Sequence, residues 1–139
     1  MEQKWLTTKI EHEGFPLYLR KPDYQDIFAH RDNLPNVLRV TQKLKAVKDN
    51  GLPESDYNMS LMDFDGQMCD LFKETEDGLI FLIETFGGER SYYYFISDSV
   101  DFDKLIEKIK TTNGDVDLET HSYADSDWGF LKSYPTKLY

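Results

Sequence analysis

The chain has 139 residues, of which 40% are hydrophobic and 14% aromatic, and its 16 Lys and Arg against 26 Asp and Glu give a formal net charge of −10. The aromatic content excludes an intrinsically disordered chain, and the longest apolar run, residues 79–83, is far shorter than the about 20 residues of a membrane-spanning helix. The one cysteine, Cys69, excludes an internal disulfide and a thiolate-rich metal site.

The charge is unevenly distributed along the chain. Residues 1–50 carry 9 basic and 7 acidic side chains, whereas residues 51–139 carry 7 and 19. An acidic surface repels nucleic-acid phosphates and attracts cationic proteins, although the same carboxylates can serve only to keep a protein soluble. Residues 1–14 lack the basic, apolar and small-residue regions of a signal peptide, so we expect a cytoplasmic protein.

The first half of the chain is predicted to begin with a β-hairpin. Its strands are residues 5–11 and 15–20, joined at Gly14, and the polar segment 22–33 is predicted to be a loop or a helical turn. A third strand follows Pro35.

A helix and a second hairpin are predicted next. Ser55 or Asp56 can cap the helix after a break at residues 51–53. Its apolar face has helical spacing and comprises Tyr57, Leu61, Phe64, Met68, Leu71 and Phe72. Residues 79–86 and 90–97, rich in β-branched and aromatic side chains around Gly87 and Gly88, form the hairpin.

The last two predicted elements complete a recognisable order. A second helix carries Phe102, Leu105, Ile106 and Ile109 on one face, with Asp101 at its start, and residues 116–123 form the last strand. The order after the first hairpin is β-α-β-β-α-β, typical of a ferredoxin-like α+β sandwich whose first and third strands are central. We expect Phe64, Met68, Leu71, Leu105, Ile106 and Ile109 to pack on a sheet containing Val40, Leu82 and Tyr94.

No repeat or linker interrupts this pattern, so one domain over residues 1–139 is predicted. It comprises the N-terminal hairpin 5–20, the ferredoxin-like core 36–124 and an aromatic C-terminal tail 125–139. The sheet face without helices needs a cover, which the hairpin, the tail or a second protomer in a homodimer could supply. We expect the tail to be anchored by a buried Trp128.

The residue types that most often carry catalysis do not indicate a catalytic site in this chain. Cys69 lies on the first predicted helix, where a small buried hydrophobe is the common role, and His12, His30 and His121 fall on separate elements. Asp63 and Asp65 precede Gly66 without the spacing of a calcium loop. We therefore expect no metal, no cofactor and no catalytic residue.

One local pattern is typical of RNA-recognition motifs. Residues 90–96 place a basic residue and stacking aromatics, Tyr92 and Tyr94, on the third strand of the core. Tyr93 stands where that motif has a small residue, and the negative net charge opposes binding to phosphates. Sheet packing is therefore the preferred interpretation of these tyrosines.

Several short motifs together resemble the bacterial family known as domain of unknown function 695 (DUF695). They are Trp5, the Gly51-Leu52-Pro53 turn, residues 87–98 and the ending at residues 125–139. By position, the residues that match the family's motif are Gly87, Arg90, Tyr94, Asp127, Trp128, Tyr134 and Pro135. The family implies no activity, but some members resemble the regulator of ribonuclease E activity B, an acidic inhibitor of ferredoxin-like fold. The resemblance favours a protein-binding regulator.

Two functions follow as hypotheses. In the first, a non-enzymatic, inhibitor-like or immunity-like module engages a basic protein through an acidic helical face that includes Asp63, Asp70, Glu74 and Asp103. In the second, an enzyme or small-molecule binder uses a pocket near Arg90, His121 and Asp127, with Arg90 as an anion clamp. Against the second stands a simpler interpretation of Arg90, a salt bridge with Glu84 or Glu89 across the hairpin.

Overall fold

The computed structural model describes residues 3–114 and 116–139, and its centre is an antiparallel sheet. Six strands of the described chain form it: β1 (Trp5–His12), β2 (Phe15–Pro22), β3 (Asn36–Lys43), β4 (Gly78–Phe86), β5 (Glu89–Ile96) and β6 (Leu118–Ala124). Their order across the sheet is β1-β2-β4-β5-β3-β6. Every pairing is antiparallel, and the β1–β2 and β4–β5 pairs are hairpins joined by short turns.

Helical segments connect or follow these strands. They are a 3-10 helix (Ile27–Asn33), α1 (Ser55–Ser60), α2 (Met62–Cys69), α3 (Phe102–Thr112) and α4 (Gly129–Ser133). The α+β class is therefore correct. No helix in residues 3–114 and 116–139 has the length and apolarity needed to cross a membrane.

The first predicted helix is divided in two at Leu61. Leu61 leaves helical geometry with φ −90° and ψ 1°, and α1 buries no side chain, whereas α2 buries Phe64 and Met68. Since packing supplies most of the stability of short helices, α1 has little to hold it in line with α2. The continuous helix predicted from the spacing was wrong at this point.

The N-terminal hairpin extends the sheet instead of covering it. β2 pairs with β4 through Tyr18, Leu19 and Arg20, so β1 becomes one edge of the sheet and β6 the other. Among the remaining four strands, β3 and β5 are neighbours and lie between β4 and β6. The hairpin therefore forms the part of the sheet beyond β4, beside the helices.

The helix side of the sheet holds one hydrophobic core. Phe64, Met68, Ile106 and Ile109 are buried against it, and the predicted Leu71 and Leu105 are half-buried at its rim. The sheet residues that they meet are Leu38, Val40, Ile80, Ile83, Tyr92, Tyr94, Ile96 and Leu118.

Leu82 was predicted on this side and lies on the opposite one. The register of β4 with β5 shifts between Ile80 and Leu82, because Phe81 is an extra residue in β4. Such a β-bulge resets the alternation of faces, so Ile80 and Ile83 share the helix side although they are three residues apart.

The other side of the sheet is covered by the C-terminal tail and the 3-10 helix. Trp128 is 1% exposed and packs there with Phe81, Phe95, Ile27 and Leu138. The prediction that Trp128 is buried is confirmed. Of the three covers considered for this face, the structure shows the tail in place.

Candidate functional site

A cleft of about 480 Å³ opens between the N-terminal hairpin, the loop 44–54, α1 and α2, with β4 and β5 as its floor. Its polar lining includes Arg20, Lys48, Asn58, Asp65, Thr85 and Arg90. This volume falls within the range of about 300–1,000 Å³ that is usual for small-molecule sites. The extension of the sheet by β1 and β2 creates the cleft, because these strands project beyond the helices.

Arg90 lies at the floor of the cleft and is 7% exposed. Its Nε donates a hydrogen bond to Thr85 Oγ1 at 3.0 Å, and its Nη2 donates to Asn58 Oδ1 at 2.8 Å. Both acceptors are neutral. Within the described residues no carboxylate lies within salt-bridge distance of this guanidinium.

The salt bridge predicted between Arg90 and Glu84 or Glu89 is absent from the described structure. Side chains alternate along β5, so Arg90 points to the helix side while its neighbours Glu89 and Ser91 point away. Glu84 is the register partner of Ser91 and shares its side of the sheet. It accepts hydrogen bonds from the hydroxyls of Tyr93 and Tyr134 there.

Arg20 and Asp65 form a bidentate ion pair beside Arg90. The Arg20 Nη atoms donate to the Asp65 carboxylate at 3.0 and 2.6 Å, and the Tyr92 hydroxyl donates to the same carboxylate at 2.7 Å. Burial favours the neutral form of both groups. The hydrogen bonds and opposite charges outweigh burial, so the pKa of Asp65 is lowered and the pKa of Arg20 is raised.

The loop 44–54 brings Lys48, Leu52 and Pro53 to the mouth of the cleft. The backbone N–H of Gly88 donates to Gly51 O at 2.8 Å, which fixes the loop to the β4–β5 turn. Gly51 has φ +86°, and a Cβ there would lie 3.0 Å from the backbone of Gly87. Glycine is required by both the backbone conformation and the close approach.

The cleft is cationic within an acidic protein. Its lining includes Arg20, Lys48 and Arg90 but only Asp65 as a carboxylate, whereas the whole chain has a net charge of −10. Asp65 is already paired with Arg20, so the charge of Arg90 is the buried cationic charge that faces the cleft without a paired carboxylate. This arrangement is suited to binding an anion.

The structure does not bring Arg90, His121 and Asp127 together, so the pocket predicted from these three residues is not formed. His121 is exposed on β6 and pairs in register with Arg39, on the side of the sheet opposite the core residue Leu118. Asp127 is exposed before α4. The alternation of strand residues puts the sheet between Arg90 and His121.

The tyrosines that resembled an RNA-binding strand belong to the core. Tyr92 and Tyr94 are fully buried, and their hydroxyls donate to Asp65 Oδ1 and to the backbone oxygen of Met68. Side chains that stack on RNA bases must be accessible. Neither of these two rings is accessible, so neither can stack on a base.

The four carboxylates predicted to bind a partner are all exposed. Asp63 is on α2, Asp70 and Glu74 are in the turn after it, and Asp103 is on α3. A hydrogen bond from Asn113 to Gln67 joins the end of α3 to α2. Both helices pack on the same side of the sheet, with Asp63 on one and Asp103 on the other, while Asp70 and Glu74 lie in the turn after α2.

Cys69 is half-buried, and burial raises the pKa of its thiol to about 12, so the thiolate needed for nucleophilic attack does not form at neutral pH. His12 and His30 are exposed. The described part of the chain contains no group of three His, Cys, Asp or Glu side chains placed to hold a metal ion.

A comparison with protein families matches residues 5–134 to the model of a family of unknown function, DUF695. The chain belongs to this family. No curated protein and no solved structure matches the chain. The match includes both the cleft and Trp128.

The residues that the sequence analysis assigned to the family's motif lie in three parts of the fold. Gly87 supports the cleft loop, Arg90 lies at the cleft floor, and Tyr94 is in the helix-side core. In the tail, Trp128 is buried, Tyr134 is half-buried against Glu84, and Pro135 and Asp127 are exposed.

Two features, one in the tail and one in the cleft, were missed from the sequence. Asp125, rather than Asp127, organises the tail, since its carboxylate accepts from the backbone N–H groups of Gly129 and Phe130 at 2.8 and 3.1 Å. Its position just before a tight turn was the available signal. The pairing of Arg20 with Asp65 joins residues 45 apart, and no local pattern indicates it.

Proposed function

We propose that this protein binds a small anionic ligand in the cleft above Arg90. The supporting observation is a buried guanidinium whose protein partners, Thr85 and Asn58, are neutral oxygens. Burying a charge is costly unless it is paired. An anion at the cleft floor would supply the missing charge.

The geometry of Arg90 favours an oxyanion. A guanidinium has five N–H donors, and two are used by Thr85 and Asn58, so a carboxylate or phosphate can accept from the three that remain, which are on Nη1 and Nη2. A charge-assisted hydrogen bond of this kind contributes about 1.5–3 kcal/mol, more than a neutral one.

Calorimetric titration with inorganic phosphate, citrate and benzoate tests the proposal. We expect at least one of the three to bind wild-type protein, and Arg90→Gln to weaken that binding at least tenfold. Arg39→Gln is the matched control, because Arg39 lies on the opposite side of the sheet and bonds to Ser91. Failure of all three anions to bind, or equal binding by a folded Arg90→Gln variant, would contradict the proposal.

A second candidate function is binding of a basic protein by the acidic helical face. Its support is that Asp63, Asp70, Glu74 and Asp103 are exposed and have no salt-bridge partner in residues 3–114 and 116–139. Replacing all four by Asn or Gln should release a bound basic protein and remove the salt dependence of its retention. Neutralising Glu11, Glu13, Asp26 and Asp32, which lie elsewhere on the surface, is the control. Unchanged retention by the first variant would exclude this face.

We also propose that β3 to β6 with α2 and α3 form a ferredoxin-like core. The supporting feature is the order β4-β5-β3-β6, with the first and third strands of the β-α-β-β-α-β unit in the middle. An experimental structure tests this assignment, because α2 and α3 should both pack on the same side of the sheet. A cytoplasmic location remains our proposal, and cell fractionation tests it.

A further inference from the structure

The cleft has an apolar wall as well as a cationic floor. Leu52, Pro53 and Met62 line it together with the ring of Tyr18. Met62 is 68% exposed and Tyr18 is 37% exposed, so two of the protein's exposed large hydrophobic side chains lie at this one opening. Exposed apolar side chains that gather beside a pocket are typical of a ligand-binding surface.

Most of the polar floor is already satisfied by the protein itself. The Asp65 carboxylate is engaged by Arg20 and Tyr92, which leaves Arg90 as the buried anchor for a ligand. Lys48 stands at the exposed mouth, where water screens its charge. Because Arg90 is a single anchor, we expect the ligand to carry a single anionic group.

The volume of the cleft exceeds what one such group requires. A water molecule takes about 30 Å³ in the liquid, and an inorganic anion takes only a few times that space. The cleft is about 480 Å³. Away from Arg90 the lining includes Leu52, Pro53, Met62 and Tyr18 beside the hydroxyls of Thr7 and Ser55, and an apolar group packed on the four larger side chains would be removed from water.

We infer that the ligand is a small organic acid with one carboxylate, held by Arg90, and an apolar body packed against Leu52, Pro53, Met62 and Tyr18. This inference rests on the proposed anion binding and adds the chemical class of the ligand. The unbranched thioether of Met62 can adapt to apolar bodies of different shape. The carboxylate fits the free edge of a guanidinium through two parallel hydrogen bonds.

Acetate and hexanoate share the carboxylate and differ only in the apolar body. A calorimetric comparison of the two therefore measures how much the apolar wall contributes to the affinity. Each buried methylene group is worth about a fourfold gain in affinity. Hexanoate should therefore bind at least tenfold more tightly than acetate. Arg90→Gln should weaken the binding of hexanoate at least tenfold.

Two methionine variants locate the apolar body. Met62→Gln should weaken hexanoate at least fivefold and leave acetate unchanged. Met59→Gln is the matched control, because Met59 is equally exposed, at 66%, and does not line the cleft. Both variants are expected to fold, since both side chains are about two-thirds exposed.

The possible outcomes separate the ligand class inferred here from the anion binding on which it rests. Equal affinities for acetate and hexanoate would overturn the inferred ligand class but leave anion binding intact. Equal hexanoate affinities of Met62→Gln and Met59→Gln would overturn the placement of the apolar body. Tighter binding of inorganic phosphate than of hexanoate would overturn the choice of a carboxylate. If none of phosphate, citrate and benzoate binds, the proposed function itself is wrong.

Discussion

Trp128 stacks on Phe95, with the ring centroids 3.9 Å apart and the rings 4° from parallel. The indole N–H also donates to the backbone oxygen of Leu34 at 2.8 Å, so this polar group is satisfied although the ring is buried. Phe95 in turn stacks on Phe81 at 4.0 Å. The tail is thus held by an aromatic stack on the sheet and by a hydrogen bond to the segment before β3.

Removing this anchor should destabilise the whole fold. We expect Trp128→Ala to lower the free energy of unfolding by about 3 kcal/mol, because it leaves a large cavity over Phe95 and strands the Leu34 carbonyl. Urea denaturation followed by circular dichroism measures the change. Phe15→Ala, at a ring that is largely exposed, should shift the midpoint little. Equal midpoints for Trp128→Ala and the parent would disprove the anchoring role.

The ion pair of Asp65 should make stability depend on pH. Because the pKa of Asp65 is lowered in the folded state, its contribution is fully present above the unfolded pKa of 3.8 and is lost as the pH falls through the folded value. We expect Asp65→Asn to cost about 2 kcal/mol at both pH 7 and pH 5, and less at pH 3, where most unfolded chains already carry a proton on this carboxyl group. Urea denaturation at pH 7, 5 and 3 measures this. A cost that is the same at all three pH values would contradict the role of the pair.

Buried tyrosines should limit stability at alkaline pH. Burial and, to a smaller extent, a neighbouring carboxylate raise the pKa values of Tyr92, Tyr93, Tyr94 and Tyr134. For an acid whose folded pKa is raised, stability is present below the unfolded pKa of 10.0 and is lost above it. Absorbance at 295 nm should therefore show these tyrosines ionising only together with loss of circular dichroism. Their gradual ionisation in a folded protein would be inconsistent with the burial described.

The contact of Gly51 with Gly87 should be sensitive to a single methyl group. Gly51→Ala and Gly14→Ala both place a side chain at positive φ, +86° and +83°, but a Cβ at Gly14 meets nothing within 4 Å. We expect Gly14→Ala to cost about 1 kcal/mol from backbone strain alone. Gly51→Ala should cost about 1 kcal/mol more, because its Cβ presses on the Gly87 backbone. Thermal unfolding of the two variants tests this difference. Equal costs would show that the loop 44–54 can move to make room for the methyl group without loss of stability.

Much of the fold follows from local patterns in the sequence. The spacing of Phe102, Leu105, Ile106 and Ile109 indicates α3 because one stripe must face the core, and Asp101 caps it by accepting from the Lys104 N–H at 3.2 Å. The hairpins follow from alternating strands and glycine turns. These signals are local, so a single sequence is sufficient to show them.

The site depends on relationships that local patterns do not carry. The face of Leu82 changes because of one extra residue in β4, and the partners of Arg90 depend on which side of β5 it occupies. The cleft itself exists because β2 pairs with β4, a contact between segments about 65 residues apart. The sequence singled out Arg90 as a candidate anion-binding residue, but His121 and Asp127, the residues predicted to lie beside it, are elsewhere in the fold.

The location of a bound carboxylate tests the central claim most directly. A crystal structure of the protein with hexanoate should show the carboxylate within hydrogen-bond distance of the Arg90 Nη atoms and the alkyl chain against Met62 and Leu52. Hexanoate found elsewhere on the protein, with the cleft filled only by water, would contradict the account.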